Sequence, residues 1–202
     1  MMERVARTLV ATCALAASAC SSITPWSGAS SIEFLSNTQN TGVKPDMTVR
    51  VYLSQDPNTA DIYLTDLPDL ADTSIPADAF ATATGHIVHI HMFIAPEAGK
   101  TPIAFTAANC TITHIILADG AMGVYQGGGF LLPDTKMGSS SFGGRTAQAT
   151  LRPTAATSGF VDLLGWNEAQ GQLRATLDVE TAHALDARIA TLLRRPDLVA
   201  ID

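Results

Sequence analysis

Charge is scarce in this chain, and what there is leans acidic. Of its 202 residues only 15% are charged, with 12 basic side chains against 19 acidic ones and a formal net charge of −7. The arginines are scattered, so no Lys/Arg cluster is present to neutralise phosphates, which argues against nucleic acid as partner. The same shortage argues against a polybasic grip on anionic lipid. The apolar stretch Thr8–Ala19 is about a dozen residues, short of the roughly 20 needed by a membrane-crossing helix. Cysteine is confined to positions 13, 20 and 110. No internal repeat is visible.

Apolar material is plentiful. At 47% hydrophobic residues the chain can build one core, and its length suits a single domain. Its start has a distinct grammar. Arg4 and Arg7 give a basic opening (Glu3 is an unusual neighbour), Thr8–Ala19 is apolar or small, and Ala17-Ser18-Ala19 leads into Cys20. This is the order of parts in an export signal. With Cys20 just after the small residues, the segment resembles the lipobox of bacterial lipoproteins. That resemblance covers about the first tenth of the chain. It implies that Cys20 receives a diacylglyceryl group, that the signal is cut before it, and that the new amino terminus is acylated. Ala17 departs from the Leu usual three residues before the cysteine, and Ala17-Ser18-Ala19 also meets the A-x-A rule of soluble secretion.

The expected organisation is therefore a signal over 1–19, a lipidated Cys20 with a flexible tether over 20–31, and one domain over 32–202. The protein would be exported and held at the cell membrane or the outer membrane by its lipid, facing the periplasm or the exterior. Loss of Glu3, Arg4 and Arg7 with the signal makes the net charge one unit more negative. Cys110 would then have no intramolecular partner, so a disulfide framework is not expected despite the oxidising compartment. Cys110 reads as a buried small hydrophobe. In the Ser-rich tether, Trp26 either docks on the domain or dips into the membrane interface.

The domain reads as mainly β: an antiparallel sandwich or barrel-like sheet with one C-terminal α-helix packed on it. Met47–Leu53 alternates, with Val49, Val51 and Leu53 on one face, and Asp61–Leu67 follows after a turn-rich link. Ala81–Ile94 and Asn109–Ala118 are further strands. Asp119-Gly120 turns the second directly into Ala121–Tyr125, a strong hairpin signal. Phe142–Leu151 and Gly171–Asp178 complete the set. The helix is expected at about 179–195. Asp178 serves as N-cap, and Ala182, Leu185, Ile189 and Leu192 form one stripe. Arg194 and Arg195 fall in the last turn and Pro196 ends it. His183 lies on its solvated face.

Histidines carry the chemical potential. His89 and His91 share a strand face and His86 points the other way. Antiparallel pairing across the 96–108 link, with Ile94 near Asn109, sets His89 opposite His114. His89, His91 and His114 would then converge with an open fourth position, a set suited to zinc, with copper or nickel as alternatives. Glu97 is placed to act as a general base or a fourth ligand. A register one residue different moves His114 to the opposite face and dissolves the cluster. Two histidines two apart on a solvent-facing strand need no metal.

The remaining motifs point away from catalysis. Gln126-Gly127-Gly128-Gly129 precedes no helix, so it lacks the phosphate-binding helix terminus and reads as a bend or bulge between strands. Gly138–Gly143 lacks the G-x-S-x-G elbow and reads as a turn. Asp66, Asp69 and Asp72 do not match a calcium loop. Phe160–Trp166 is an apolar plug, either one buried helical turn or the lining of a ligand pocket. Three functions remain: a lipid-anchored binding or structural module for an envelope protein or small molecule, with no cofactor; a metal-binding protein or metal-dependent hydrolase using His89, His91 and His114; and a carrier of a small apolar ligand inside a barrel. The absence of a catalytic motif favours the first.

Overall fold

The computed structural model describes residues 30–96 and 108–201. The signal, Cys20, Trp26 and Glu97 lie outside the described residues. The architecture is mainly β, a closed seven-strand barrel with extra strands and one C-terminal helix. In chain order the elements are β1 (Ser31–Ser36), β2 (Gly42–Val43), β3 (Val49–Leu53), β4 (Ala60–Thr65), β5 (Thr84–Met92), β6 (Cys110–Ala118), β7 (Ala121–Pro133), β8 (Ser141–Thr157), β9 (Asn167–Leu177), α1 (Val179–Leu193) and β10 (Leu198–Ala200).

From β3 to β9 each strand is antiparallel to the one before it. Seven is an odd number, so the first and last strands run in the same direction. The ring accordingly closes through a parallel pairing of Val51 and Tyr52 with Thr176 and Leu177. β1 lies antiparallel to β9, and β10 adds to the outer edge of β8.

Strand alternation sorts the side chains into two cores. Phe34, Tyr52, Ile62, Ile90, Met92, Ile112 and Phe142 point inward and fill the barrel. Filling of this kind is what a small barrel allows. Val51, Leu53, Tyr63, Ile87, Ile115 and Val124 point outward and are covered by α1 and two short 3-10 segments, Pro68–Ala71 and Ala77–Thr82. The helix presents its expected stripe, Ala182, Leu185, Ile189 and Leu192, all buried. Burying each of the larger three contributes about 1.5–3 kcal/mol. Asp178 caps the helix, its Oδ1 accepting from the Thr181 amide at 3.0 Å.

Several local expectations shift. The helix stops at Leu193, so Arg194 is its C-cap, and Arg195 instead pairs with Asp197 at 2.7 Å. β7 and β8 run well past their expected ends because the glycine run remains in the ladder. There it produces a register shift between Gly128 and Phe130, the anticipated bulge. Asp119 (φ 48°) and Gly120 (φ 92°) both lie in the left-handed region, the geometry that a two-residue hairpin turn demands. The segment between β8 and β9 is not a helical turn. It is irregular: Phe160 and Leu164 turn onto the barrel end while Val161, Leu163 and Trp166 stay exposed.

Candidate functional site

The histidines divide between the two faces of the barrel wall. β5 and β6 pair with Val88 opposite His114 and His89 opposite Thr113, one residue away from the register that would make three imidazoles converge. The physical reason is sorting. The observed register matches Ile90 and Met92 with Ile112 and Cys110 inside, and His89 and His91 with Thr113 and Thr111 outside. The structure therefore does not bring His114 together with His89 and His91, and among the described residues no group of three His, Cys, Asp or Glu side chains is arranged to hold a metal ion.

On the outer face, one oxygen of Asp61 meets both rings: Oδ1 lies 2.9 Å from His89 Nε2 and 2.8 Å from His91 Nδ1. Burial raises the Asp61 carboxyl, and the hydrogen bonds and charge interactions with His89 and His91 together outweigh it, leaving its pKa below the usual range. Tyr63 stacks on His89 with ring centres 4.6 Å apart and donates to Asp186 of α1. This cluster fastens the helix side of the wall through the Tyr63–Asp186 hydrogen bond. Cys110, inside, is fully buried; its Sγ–H donates to the Gly129 carbonyl, and burial pushes the thiol up to about 11. It is an inert core residue.

The inner face is different. His86 Nδ1 and His114 Nε2 are 3.1 Å apart, diagonal neighbours on adjacent strands. Phe34 of β1 stacks on His114 at 3.8 Å, and Tyr125 of β7 is its cross-strand neighbour. His114 has no exposure, and its Nδ1 has no hydrogen-bond partner. Burial, then the neighbouring His86, holds its pKa well below the ordinary value, so it is neutral. Burial also lowers His86, partly opposed by Asp66.

The segment from Ser158 to Trp166 closes this end of the barrel. Asp162 organises it: Oδ1 accepts from the amides of Leu164 (3.0 Å) and Gly165 (2.8 Å) and from the Tyr125 hydroxyl. Burial first, and then the Asp162 carboxylate, push the Tyr125 pKa up, so the phenol stays protonated and donating. The Trp166 carbonyl accepts from the Asn37 amide at 2.7 Å, tying the segment to the end of β1. Phe160 folds back edge-on to Tyr125, over a strand surface that Gly123 leaves bare.

Under this cap lies a cavity of about 270 Å³ whose lining includes Val43, His86, Ile116, Tyr125, Phe160 and Leu164. Its walls are apolar and its hydrogen-bonding groups are few and fixed, as in small-molecule sites. A larger hollow, about 490 Å³, lies outside the barrel between the end of α1 and the Ala77–Thr82 segment. Its polar lining groups are those of Asp78, Thr191 and Arg195, and Arg195 is paired with Asp197. The smaller cavity is the candidate site because aromatic and imidazole groups converge there, with the Asp162 carboxylate bonded to Tyr125 of its wall.

Sequence reasoning identified His114 and the Phe160–Trp166 run but not their relation. Tyr125 and Asp162 were missed. Parity along β7 would have placed Tyr125 on the inner face had the β6–β7 pairing been carried through from the Asp119-Gly120 turn. No local signal joins Asp162 to it. No family model, no curated protein and no solved structure matches this chain.

Proposed function

We propose that the protein is a lipid-anchored binding module of the cell envelope that takes a small apolar molecule at the barrel mouth beneath the 158–166 segment. The observation that carries this reading is the placement of the cavity. The barrel interior is packed with large side chains, which leaves no room for a ligand along its axis, while the mouth keeps an apolar hollow with Tyr125 and His86 in its wall. A carrier that swallows its ligand does not fit such a filled barrel; a module that holds one at its rim does. Catalysis has no support at the mouth. The carboxylate there is engaged by three donors, and the two imidazoles are bonded to each other. The envelope location and the lipid anchor rest on the Ala17–Cys20 pattern.

The test is occupancy of the hollow. Full-length chain in lipid nanodiscs, titrated with naphthalene against empty nanodiscs, is expected to show saturable amide shifts at Gly123 and Leu164. Val43→Trp, which fills the mouth from β2, is expected to abolish them with the melting temperature unchanged. Shifts that persist in Val43→Trp, or never appear in the parent chain, would remove the pocket from consideration.

A further inference from the structure

His86 lines the cavity, and one of its two nitrogens is committed: Nδ1 faces His114 Nε2 at 3.1 Å. A single proton lies between the two rings, and its owner decides what His86 offers the cavity. If His86 Nδ1–H were the donor, neutral His114 would carry its own proton on Nδ1, a buried N–H with no acceptor. If His114 Nε2–H is the donor, Nδ1 of His114 is only a lone pair without a partner. An orphaned buried N–H is the rarer and costlier defect. The second arrangement therefore holds, and neutral His86 must keep its proton on Nε2, its remaining hydrogen-bonding atom. Phe34, stacked on His114 at 3.8 Å, and the full burial of that ring hold the pair in place.

Taking the barrel mouth as a binding pocket, we infer that its ligand is a small neutral molecule, apolar apart from one carbonyl-type acceptor that receives a hydrogen bond from His86 Nε2–H. The charge follows from the lining. No Lys or Arg borders the cavity, and the Asp162 carboxylate is bonded to Tyr125 of its wall. An anionic ligand would meet repulsion and no counter-charge. A cationic one would find no carboxylate in the lining, since Asp162 is engaged by Tyr125 and by the amides of Leu164 and Gly165. A pure hydrocarbon would leave the Nε2–H unpaired on binding, a cost that an acceptor removes. Burial, which keeps both imidazoles neutral, agrees with a donor of no net charge. The hollow of about 270 Å³ suits a two-ring aromatic ketone or a compact aliphatic one.

Three probes built on one ring system separate the outcomes: naphthalene, 2-acetonaphthone and 2-naphthoate, each titrated into the full-length chain in nanodiscs with ¹⁵N-labelled histidine. The ketone is expected to bind about two- to tenfold tighter than naphthalene, the worth of one hydrogen bond between neutral groups. His86→Phe should erase that preference while still binding naphthalene, and His86→Gln, which keeps a donor, should retain part of it. In the unliganded chain the His86 ¹⁵N shifts should report a protonated Nε2 and an unprotonated Nδ1. Equal affinity for ketone and hydrocarbon would overturn the inference and leave the pocket intact. Tightest binding of naphthoate would overturn it in favour of an anionic ligand, and no binding by any probe would overturn the pocket itself. Should His86→Phe fail to fold, an unprotonated His86 Nε2 in the parent chain is sufficient to overturn the assignment.

Discussion

His114 shows how one buried ring shapes the behaviour of the whole molecule. Its folded pKa is well below the ordinary 6.5 because burial, and then His86, penalise its charged form. Protons therefore bind the unfolded chain first as pH falls. Stability from this group is fully present above about pH 6.5 and is lost below it, by about 1.4 kcal/mol for each further pH unit until the folded pKa is reached. His86, lowered in the same direction, adds to the loss. Asp61 on the outer wall acts only in stronger acid: its folded pKa is below 3.8, so its contribution is complete above that value and fades as pH falls through the lower one. Urea unfolding between pH 5 and pH 8 is expected to show a decline below 6.5 in the parent chain and a shallower one in His114→Phe, which keeps the ring stacked on Phe34 without a titrating group. Identical slopes would mean that His114 is protonated when folded. The register that buried this ring was the least legible feature of the sequence. The sequence suggests His89 opposite His114, whereas the observed register sets Val88, Ile90 and Met92 opposite His114, Ile112 and Cys110. One residue of slip separates a three-histidine face from a split one, and nothing local chooses between them.

Elements whose signals are local were legible and those assembled from distant strands were not. The helix announced itself through Asp178 and the Ala182–Leu192 stripe, and the β6–β7 hairpin through Asp119-Gly120, because caps, periodicity and turn residues act over a few positions. β1 had no such signal: its six residues make sense only beside β9, more than a hundred positions away. The Phe160–Trp166 run was visible as apolar but not as a cap, since its site is made by β7 and the end of β1. Gly123 is the key to that docking. An ideal Cβ there would lie 2.2 Å from two Phe160 ring carbons, so the ring and any side chain at 123 exclude each other. Gly123→Ala is expected to cost about 1–3 kcal/mol, the usual penalty for overpacking. In a Phe160→Ala background the same step should cost much less, a coupling of about 0.5–3 kcal/mol readable in a double-mutant cycle. Equal costs in both backgrounds would show that Phe160 does not hold the segment against β7.

At the scale of the whole molecule, the direction of β1 relates the anchor to the mouth. Ser31 pairs with Gln172 and Ser36 with Asn167, and Asn37 then bonds to Trp166 of the cap. The chain thus enters β1 at the end remote from the cavity and travels six residues, roughly 20 Å, towards it. The ten or so residues between Cys20 and Ser31 span at most about 35 Å. On the proposed reading, a lipid on Cys20 would attach the barrel at the end remote from its mouth, leaving the mouth and the exposed Val161, Leu163 and Trp166 free to face the aqueous side. On that reading anchor and pocket are separable functions, the lipid setting the address and the mouth selecting the ligand. Cys20→Ala should move the protein from the membrane fraction to the soluble one, since Ala17-Ser18-Ala19 still permits cleavage, while its naphthalene affinity stays unchanged. Continued sedimentation with membranes would remove the lipid anchor. Release accompanied by lost affinity would mean that the bilayer completes the site, and the mouth would then have to face it.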